Sequence, residues 1–173
     1  MAVTASMTNP LRGAKRWAYL TRQKTIRIAS TGEDGVIYLT PLWFVVDDEK
    51  IYLPIDAGSK HGTNAAAGRA VAGLVDAGDE FVTVSGVRIL GTLVHAPDAD
   101  LVERLQALVF EKYFYVGHPY VEQYFEFGVF AGRRYFELVP DKMIGWDQRE
   151  TAMPALPEAR VLPDVVQDRI VGG

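Results

Sequence analysis

The sequence contains no cysteine, and this absence removes several classes of function. Without a thiol, disulfides, thiolate catalysis and cysteine-ligated zinc or iron–sulfur sites are excluded. Histidine is scarce as well, with only His61, His95 and His118. No two of them have the i, i+4 spacing that places metal ligands on one helical face. We therefore expect no metal site.

Three widespread sequence motifs are also missing. The chain has neither the GxGxxG pattern of dinucleotide-binding folds nor the GxxxxGK[ST] pattern of P-loops. It also lacks the GxSxG nucleophile elbow of serine hydrolases. These absences argue against a Rossmann enzyme, a P-loop NTPase and a Ser-His-Asp hydrolase.

Excess positive charge and long apolar runs are absent too. Lys and Arg total 18 against 22 Asp and Glu, a net charge of −4, whereas nucleic-acid binding calls for a basic surface. The longest apolar run, residues 41–46, is too short to span a bilayer. Residues 1–10 show no signal peptide. We expect a cytoplasmic protein that binds neither nucleic acid nor membrane.

The length of 173 residues fits one domain with a substantial core. We assign residues 1–147 to this domain and expect residues 1–13 to form a loose arm. Three prolines, Pro154, Pro157 and Pro163, indicate an extended tail over residues 148–173.

Residues 55–64, with the sequence IDAGSKHGTN, connect a predicted strand (residues 50–55) to a short helix (residues 60–67). Ser59 is a favourable N-cap, and Gly68 is suited to end the helix. Lys60 and His61 then lie in the first turn, where the helix dipole disfavours cations. A bound anion would explain them. The alternative is a plain strand–loop–helix connection with a solvated lysine.

Further strands are predicted at residues 24–30, 36–46, 71–76, 81–95 and 133–139, with helices at residues 14–23 and after Asp98. Residues 36–46 are almost entirely apolar, which predicts burial on both faces. Pro41 within them indicates an edge strand or a bulge. Gly86 and Gly91 predict a bulge or a barrel corner. The helical stripe of Leu101, Leu105, Leu108 and Val109 predicts a packing face.

Residues 110–130 hold nine aromatic residues, a density that fits core or dimer packing, or a roof over a planar ligand. We expect the phenylalanines to face inward and at least one tyrosine to face a cavity.

Four segments in this order resemble the pyridoxamine 5'-phosphate oxidase-like superfamily of FMN-binding split β-barrels, which includes flavin- and deazaflavin-dependent oxidoreductases. They are TPLWF (residues 40–44), GSKH (residues 58–61), Asn64 and FELVPDKMIGW (residues 136–146). The resemblance implies a mainly β, Greek-key split barrel with flanking helices that forms a homodimer.

The resemblance also implies a cofactor site. Ser59, Lys60 and His61 match the positions that hold the flavin phosphate, followed by Asn64 in the motif. The ring system would lie against the preceding strands, on Thr40, Pro41, Leu42, Trp43 and Ile55, and Trp146 is the candidate contribution across the dimer interface.

Some residues depart from the family pattern. Phosphate-oxidising members carry Arg and Lys on the strand that here spans residues 39–44, and relatives often have Arg where Thr63 stands and Pro where Arg69 stands. Pyridoxamine phosphate oxidation is therefore not expected. Fewer charges favour F420, which carries a phosphodiester, over FMN, and both remain candidates.

The resulting hypothesis is an FMN- or F420-dependent oxidoreductase that transfers a hydride to or from a small organic substrate. Catalytic residues and the substrate cannot be named. The alternatives are a non-catalytic flavin- or F420-binding protein and a haem-handling relative with the same barrel.

Overall fold

The computed structural model describes residues 9–80 and 82–150 of the chain. The strands are β1 (Asn9–Pro10), β2 (Ile26–Thr31), β3 (Ile37–Leu42), β4 (Val45–Asp47), β5 (Lys50–Asp56), β6 (Ala70–Ala77), β7 (Ser85–His95) and β8 (Arg133–Asp147). The helices are α1 (Gly13–Arg22), α2 (Lys60–Ala66), α3 (Ala99–Tyr113) and α4 (Val121–Phe130), with a final 3₁₀ turn at Gln148–Glu150.

The strands form one antiparallel sheet in the order β3-β2-β6-β7-β8-β5-β4, and β1 pairs with the end of β8. The first and last strands of this order, β3 and β4, are joined only by Trp43 and Phe44. Three consecutive Cα–Cα steps span at most about 11 Å, so the two ends of the sheet must lie close together. The sheet is therefore curled into a half-barrel, which confirms the predicted mainly β fold with flanking helices.

The interior of the half-barrel is filled by branched aliphatic side chains from alternate strand positions, together with Tyr19 and Leu20 from α1. Its fully buried members include Ile26, Ile28, Leu53, Val75, Val87, Ile89 and Leu138. A second cluster lies under α3, where Leu105 and Val109 pack with Tyr52 and Tyr135. This cluster confirms the packing role predicted for the α3 stripe.

The local signals at helix ends are also confirmed. Ser59 Oγ accepts a hydrogen bond from the Gly62 N–H at 3.1 Å, and Asp98 Oδ1 accepts one from the Leu101 N–H at 2.7 Å. Gly68 follows α2 with φ of +66°, a conformation that glycine adopts without strain.

The pairing of β7 with β8 shifts by one residue beside Gly91. Leu90 pairs with Lys142, whereas Gly91 pairs with Pro140, and Asp141 is the extra residue. This is a β-bulge at one of the two glycines where it was predicted. At the other, Gly86, an added Cβ would lie 2.7 Å from the Trp146 ring, so the missing side chain makes room for that ring.

The prediction for residues 36–46 was wrong in two respects. They form two strands, β3 and β4, and β3 is not buried, since Ile37 and Leu39 are 69% and 66% exposed. The reason is topological, because β3 is an edge strand whose alternate side chains point away from the barrel interior. An edge position also accommodates Pro41, which has no N–H to donate.

Three smaller expectations also need correction. The predicted loose arm is ordered where β1 pairs with β8, and Leu11 is buried. The predicted strand at residues 81–95 begins at Ser85. Not all phenylalanines of the aromatic segment face inward, since Phe127 and Phe130 are exposed. Residues 1–8, and the tail from residue 151 onward, lie outside the described residues.

Candidate functional site

A cavity of about 470 Å³ lies where the edge strand β3, the end of β5 and the start of α2 meet. We name it the β3–α2 cavity. Its lining residues are Tyr38, Thr40, Pro41, Leu42, Trp43, Pro54, Ile55, Asp56, Ser59, Lys60, His61, Tyr124 and Arg133. Eight of the ten cofactor-binding residues predicted from the sequence are among them.

A tight turn fixes the start of α2 at this cavity. The Ser59 N–H donates to the Asp56 carbonyl at 3.0 Å, and the Ser59 hydroxyl caps the helix. Gly62 permits the close return of the chain, because an added Cβ would lie 2.5 Å from the Asp56 carbonyl oxygen. Ser59 and Lys60 are thereby held at the cavity rim by the backbone itself.

His61 connects α2 to two strands. Its Nδ1 lies 2.8 Å from the Ser30 hydroxyl on β2, and its Nε2 lies 3.1 Å from the Thr40 hydroxyl on β3. The ring is 5% exposed, and burial lowers the pKa of His61. It is therefore neutral at pH 7. It can position Thr40 at the cavity, but it does not add a positive charge.

Asn64 continues the same network away from the cavity. Its Nδ2 donates to the Ser30 hydroxyl at 2.9 Å, and its Oδ1 accepts from Arg69 at 2.8 Å. Asn64 is 2% exposed and does not line the cavity. The structure gives it the role of holding α2 against β2.

The depressed His61 pKa predicts a stability change in mild acid. The unfolded histidine has a pKa of about 6.5, so below this pH the unfolded state binds more protons than the folded state. His61 thus contributes stability that is present above about pH 6.5 and is lost as the pH falls towards its folded pKa. Melting temperature should be lower at about pH 5.5 than at about pH 7.5.

The matched variant is His61→Gln, which does not titrate in this range. We expect it to reduce the difference in melting temperature between the two pH values, while His95→Gln, at an exposed position, leaves the difference unchanged. An equal pH effect in wild type and His61→Gln would contradict the assignment.

Two cations line the cavity. Lys60 is exposed, and its Nζ lies 5.3 Å from the centre of the Tyr38 ring. Arg133 donates to Asp56 Oδ1 at 2.9 Å, and its guanidinium lies 4.5 Å from the centre of the Tyr124 ring. Counting Lys60, Arg133 and Asp56 by their formal charges and His61 as neutral, the lining carries a formal net charge of about +1.

Sequence reasoning did not identify Arg133. It reaches the cavity because β5 pairs with β8 in a register that places Asp56 opposite Arg133. That pairing joins residues far apart in the sequence, so no local motif marks it. The available signal in the sequence was a pair of opposite charges, with Asp56 directly after one predicted strand and Arg133 at the start of another.

The wall of the cavity is aromatic. Trp43 stacks on Tyr113 with ring centres 4.2 Å apart and planes 7° from parallel, and its ring centre lies 5.1 Å from that of Tyr124. The aromatic segment therefore contributes both to packing and to the cavity wall, and its predicted role as a roof over a planar ligand stays a prediction. Tyr113 belongs to the packing, whereas Tyr124 faces the cavity.

Trp146 lies elsewhere. It is in β8, packs against Gly86 and does not line the β3–α2 cavity. Its predicted contribution requires a second subunit and stays a prediction.

Two further observations limit the kinds of site. Across residues 9–80 and 82–150, His, Asp and Glu side chains form no cluster of three that could hold a metal ion. Within the same residues, no helix has the length and apolarity needed to cross a membrane.

Comparison with known proteins identifies the family. The sequence model described as pyridoxamine 5'-phosphate oxidase matches residues 15–147, which include the whole β3–α2 cavity. The chain therefore belongs to the pyridoxamine 5'-phosphate oxidase family. No curated protein matches the sequence.

Solved structures share the fold at low identity. A conserved hypothetical protein from Mycobacterium tuberculosis aligns with a TM-score of 0.72 and 22% identity, over 92% of this chain and 98% of its own. The heme storage protein HutZ from Vibrio cholerae aligns with a TM-score of 0.62 and 14% identity, over 79% of this chain and 96% of its own. An FAD binding protein from Mycobacterium smegmatis aligns with a TM-score of 0.58 and 17% identity, over 82% of this chain and 97% of its own.

Proposed function

We propose that this protein is an oxidoreductase that binds FMN or F420 in the β3–α2 cavity and transfers a hydride to or from a small organic substrate. The observation that carries the proposal is the convergence of an edge strand, an aromatic wall and the Ser59–Lys60 turn on one cavity. The family match and the FAD binding protein among the structural relatives support a flavin-type ligand.

The lining is compatible with a planar ring system. The outer edge of β3 has no neighbouring strand in the described part of the chain, so backbone groups near Thr40 and Leu42 can hydrogen-bond to a ring edge. Pro41, Leu42, Trp43 and Ile55 offer apolar surface for the ring faces. A cavity of this size is within the usual range for cofactor sites.

The lining also fits a phosphate group with a modest charge. Ser59 Oγ accepts from the Gly62 N–H, which leaves the hydroxyl hydrogen free to donate to a phosphate oxygen. Lys60 adds a mobile positive charge beside it, and Arg133 lies across the cavity. A lining with a small net positive charge suits a phosphodiester better than a doubly charged phosphate, which favours F420 over FMN.

The bound cofactor would supply the hydride chemistry, as flavins and deazaflavins do in general. The residues of the chain would bind, orient and exclude water. Burial raises the pKa of Tyr124, so this cavity residue stays protonated at neutral pH. Asp56 is engaged by Arg133, and the proton that completes a reduction would come from solvent.

The haem-handling alternative has less support from the described residues. The only histidine lining the described cavity is His61, and both of its ring nitrogens lie within hydrogen-bonding distance of hydroxyls, so it is not available as an axial haem ligand. A non-catalytic binding protein would share the cavity and differ only in turnover.

The deciding experiment is an absorbance spectrum of the purified protein after incubation with FMN or F420 and removal of free cofactor. Absorbance of either cofactor that stays with the protein supports binding. Loss of that absorbance on addition of a reductant, and its return on addition of a carbonyl or quinone acceptor, supports turnover. Haem retained in place of both cofactors would contradict the proposal, and a cofactor that never turns over would support the non-catalytic alternative.

We further propose that the protein is a homodimer. An apolar row crosses the outer face of the sheet, since Leu39, Ala29, Ala72 and Leu90 are paired in register across four strands. Leu39 and Leu90 are exposed, and exposed apolar patches of this kind mark association surfaces. The row adjoins Thr40 in the β3–α2 cavity.

We expect sedimentation at micromolar concentration to give the mass of two chains. Leu39→Asp places a charge in the apolar row and should shift the equilibrium to monomer. Val129→Asp, at an exposed position on α4, should leave the dimer intact. A monomeric wild type would refute the dimer, and a dimeric Leu39→Asp would place the interface elsewhere.

A further inference from the structure

A second cavity, of about 500 Å³, lies between the end of β7, the helices α3 and α4, and the start of β8. We name it the α4–β8 cavity. Tyr124 and Arg133 line both this cavity and the β3–α2 cavity, so the two cavities are neighbours. The proposed cofactor site does not account for the second one.

The floor of the α4–β8 cavity is one face of β8. Phe136 belongs to the core inside the half-barrel, whereas Tyr135 belongs to the cluster under α3. Because side chains alternate along a strand, Arg133 shares the face of Tyr135, and Arg134 lies between them on the face of Phe136. The side chains of β8 that face the helices here are therefore Arg133 and Tyr135.

The hydroxyl of Tyr135 is buried and unpaired. The residue is 4% exposed, and its hydroxyl has no hydrogen-bond partner among the described residues. In that part of the chain every fully enclosed side-chain nitrogen or oxygen has a partner, so this hydroxyl must reach open space, which is the α4–β8 cavity. Burial raises the pKa of Tyr135, so the hydroxyl stays protonated and can donate. Native proteins rarely leave such a donor unpaired, and it points to a ligand that accepts a hydrogen bond.

The charges around this hydroxyl favour an uncharged ligand. Arg133, the cation on the same face of β8, donates to Asp56 Oδ1 at 2.9 Å and to the Tyr124 carbonyl oxygen at 3.3 Å. Its charge is therefore already compensated. An anion would lose its hydration here without gaining a free cation on this face, whereas a neutral acceptor needs only the Tyr135 hydroxyl.

The remaining walls are mostly apolar. Val102 on α3 and Phe125 on α4 line the cavity together with Ala96 and Gly128. At Gly128 an added Cβ would lie 3.1 Å from Arg133 Nη1, so glycine keeps this side open and leaves the arginine in place. These walls offer apolar surface to a ring.

From these features we infer that the α4–β8 cavity is a binding site for a small uncharged ring compound that carries a carbonyl group. The carbonyl oxygen accepts a hydrogen bond from the Tyr135 hydroxyl, and the ring packs against the walls formed by Val102 and Phe125. The volume is typical of small-molecule sites. This site does not depend on the identity of the cofactor.

The test compares three probes, each titrated into the full-length protein and followed by ligand-observed NMR. They are 1-tetralone, a bicyclic ketone; tetralin, which has the same skeleton without the carbonyl; and 1-naphthoate, which is an anion. We expect saturable binding of 1-tetralone, about two- to tenfold tighter than that of tetralin, the usual effect of one hydrogen bond between neutral groups. The inference is wrong if 1-tetralone does not saturate, if it binds no more tightly than tetralin, or if 1-naphthoate binds more tightly than either.

Two variants locate the site. Tyr135→Phe removes only the hydroxyl, and we expect it to bring the affinity for 1-tetralone down to that for tetralin, which itself stays unchanged. The melting temperature should not fall, because the hydroxyl has no partner in the protein to lose. Val102→Trp fills the cavity and should weaken the binding of both compounds. Tyr120→Phe is the control, since Tyr120 is exposed and does not line this cavity.

Three results would overturn the inference. The first is a preference for 1-tetralone that persists in Tyr135→Phe or is lost equally in Tyr120→Phe. The second is a lower melting temperature of Tyr135→Phe, which would give the hydroxyl a structural role. The third is unchanged binding to Val102→Trp, which would place the compounds in another cavity.

Discussion

Tyr113→Phe is expected to lower the free energy of unfolding by about 1–3 kcal/mol, the usual effect of leaving a buried polar group without its partner. The Tyr113 hydroxyl accepts from the Phe44 N–H at 2.9 Å, and it lies 2.7 Å from the Phe44 carbonyl oxygen and 2.9 Å from that of Lys24. One hydroxyl on α3 thereby holds the short connection between the two ends of the curled sheet. Chemical denaturation of the variant and of wild type measures the difference.

Tyr113→Ala should cost more, about 3–5 kcal/mol, because it also removes the stacking on Trp43 and leaves a cavity. Tyr120→Phe and Tyr120→Ala are the controls, since Tyr120 is 63% exposed. We expect both controls to remain within about 0.5 kcal/mol of wild type, as surface substitutions usually do. Equal losses at the two positions would mean that the aromatic segment packs differently.

Lys60→Ala is expected to weaken FMN or F420 binding by about 1.5–3 kcal/mol, roughly 10- to 150-fold, the value of a hydrogen bond to a charged group. Lys60 is the lining cation with no ion pair among the described residues, so its charge is available to the phosphate. Because the side chain is exposed, its loss should leave the melting temperature almost unchanged. Titration of each cofactor into the variant gives the affinity.

Lys142→Ala is the matched control, because Lys142 is exposed on β8 and does not line the cavity. Lys60→Arg keeps the charge and should recover most of the affinity. The phosphate must be held elsewhere if Lys60→Ala binds as tightly as wild type. A general charge effect is the explanation if Lys142→Ala weakens binding equally.

The features that the sequence predicted well are those set by a few neighbouring residues. The caps at Ser59 and Asp98, the end of α2 at Gly68 and the bulge at Gly91 each depend on local backbone chemistry, and the structure contains all four. The order of the elements was then sufficient to identify the split barrel. The grouping of eight predicted residues in one cavity follows from that order.

The features that the sequence did not predict depend on the position of a residue in the tertiary structure. An apolar run such as residues 36–46 has the same composition in a central strand as in an edge strand, and only the sheet order makes Leu39 exposed. Helix α4 has no side-chain cap and is apolar on several sides, so periodicity does not mark it. Arg133 and Tyr124 meet at the cavity through packing of α4 on β8, which no local pattern encodes.

The bulge at Asp141 has a consequence for insertions and deletions in β8. Before it, even-numbered residues such as Phe136 and Leu138 point into the barrel, and after it odd-numbered residues such as Met143 do so. Removing Asp141 would make Pro140 and Lys142 neighbours in a regular ladder, with Lys142 still outward and Met143 still inward, because Asp141 itself accounts for the change from even to odd positions. A one-residue deletion is therefore best tolerated at Asp141, whereas the same deletion within a regularly paired part of β8 would move the apolar side chains on one side of it to the opposite face.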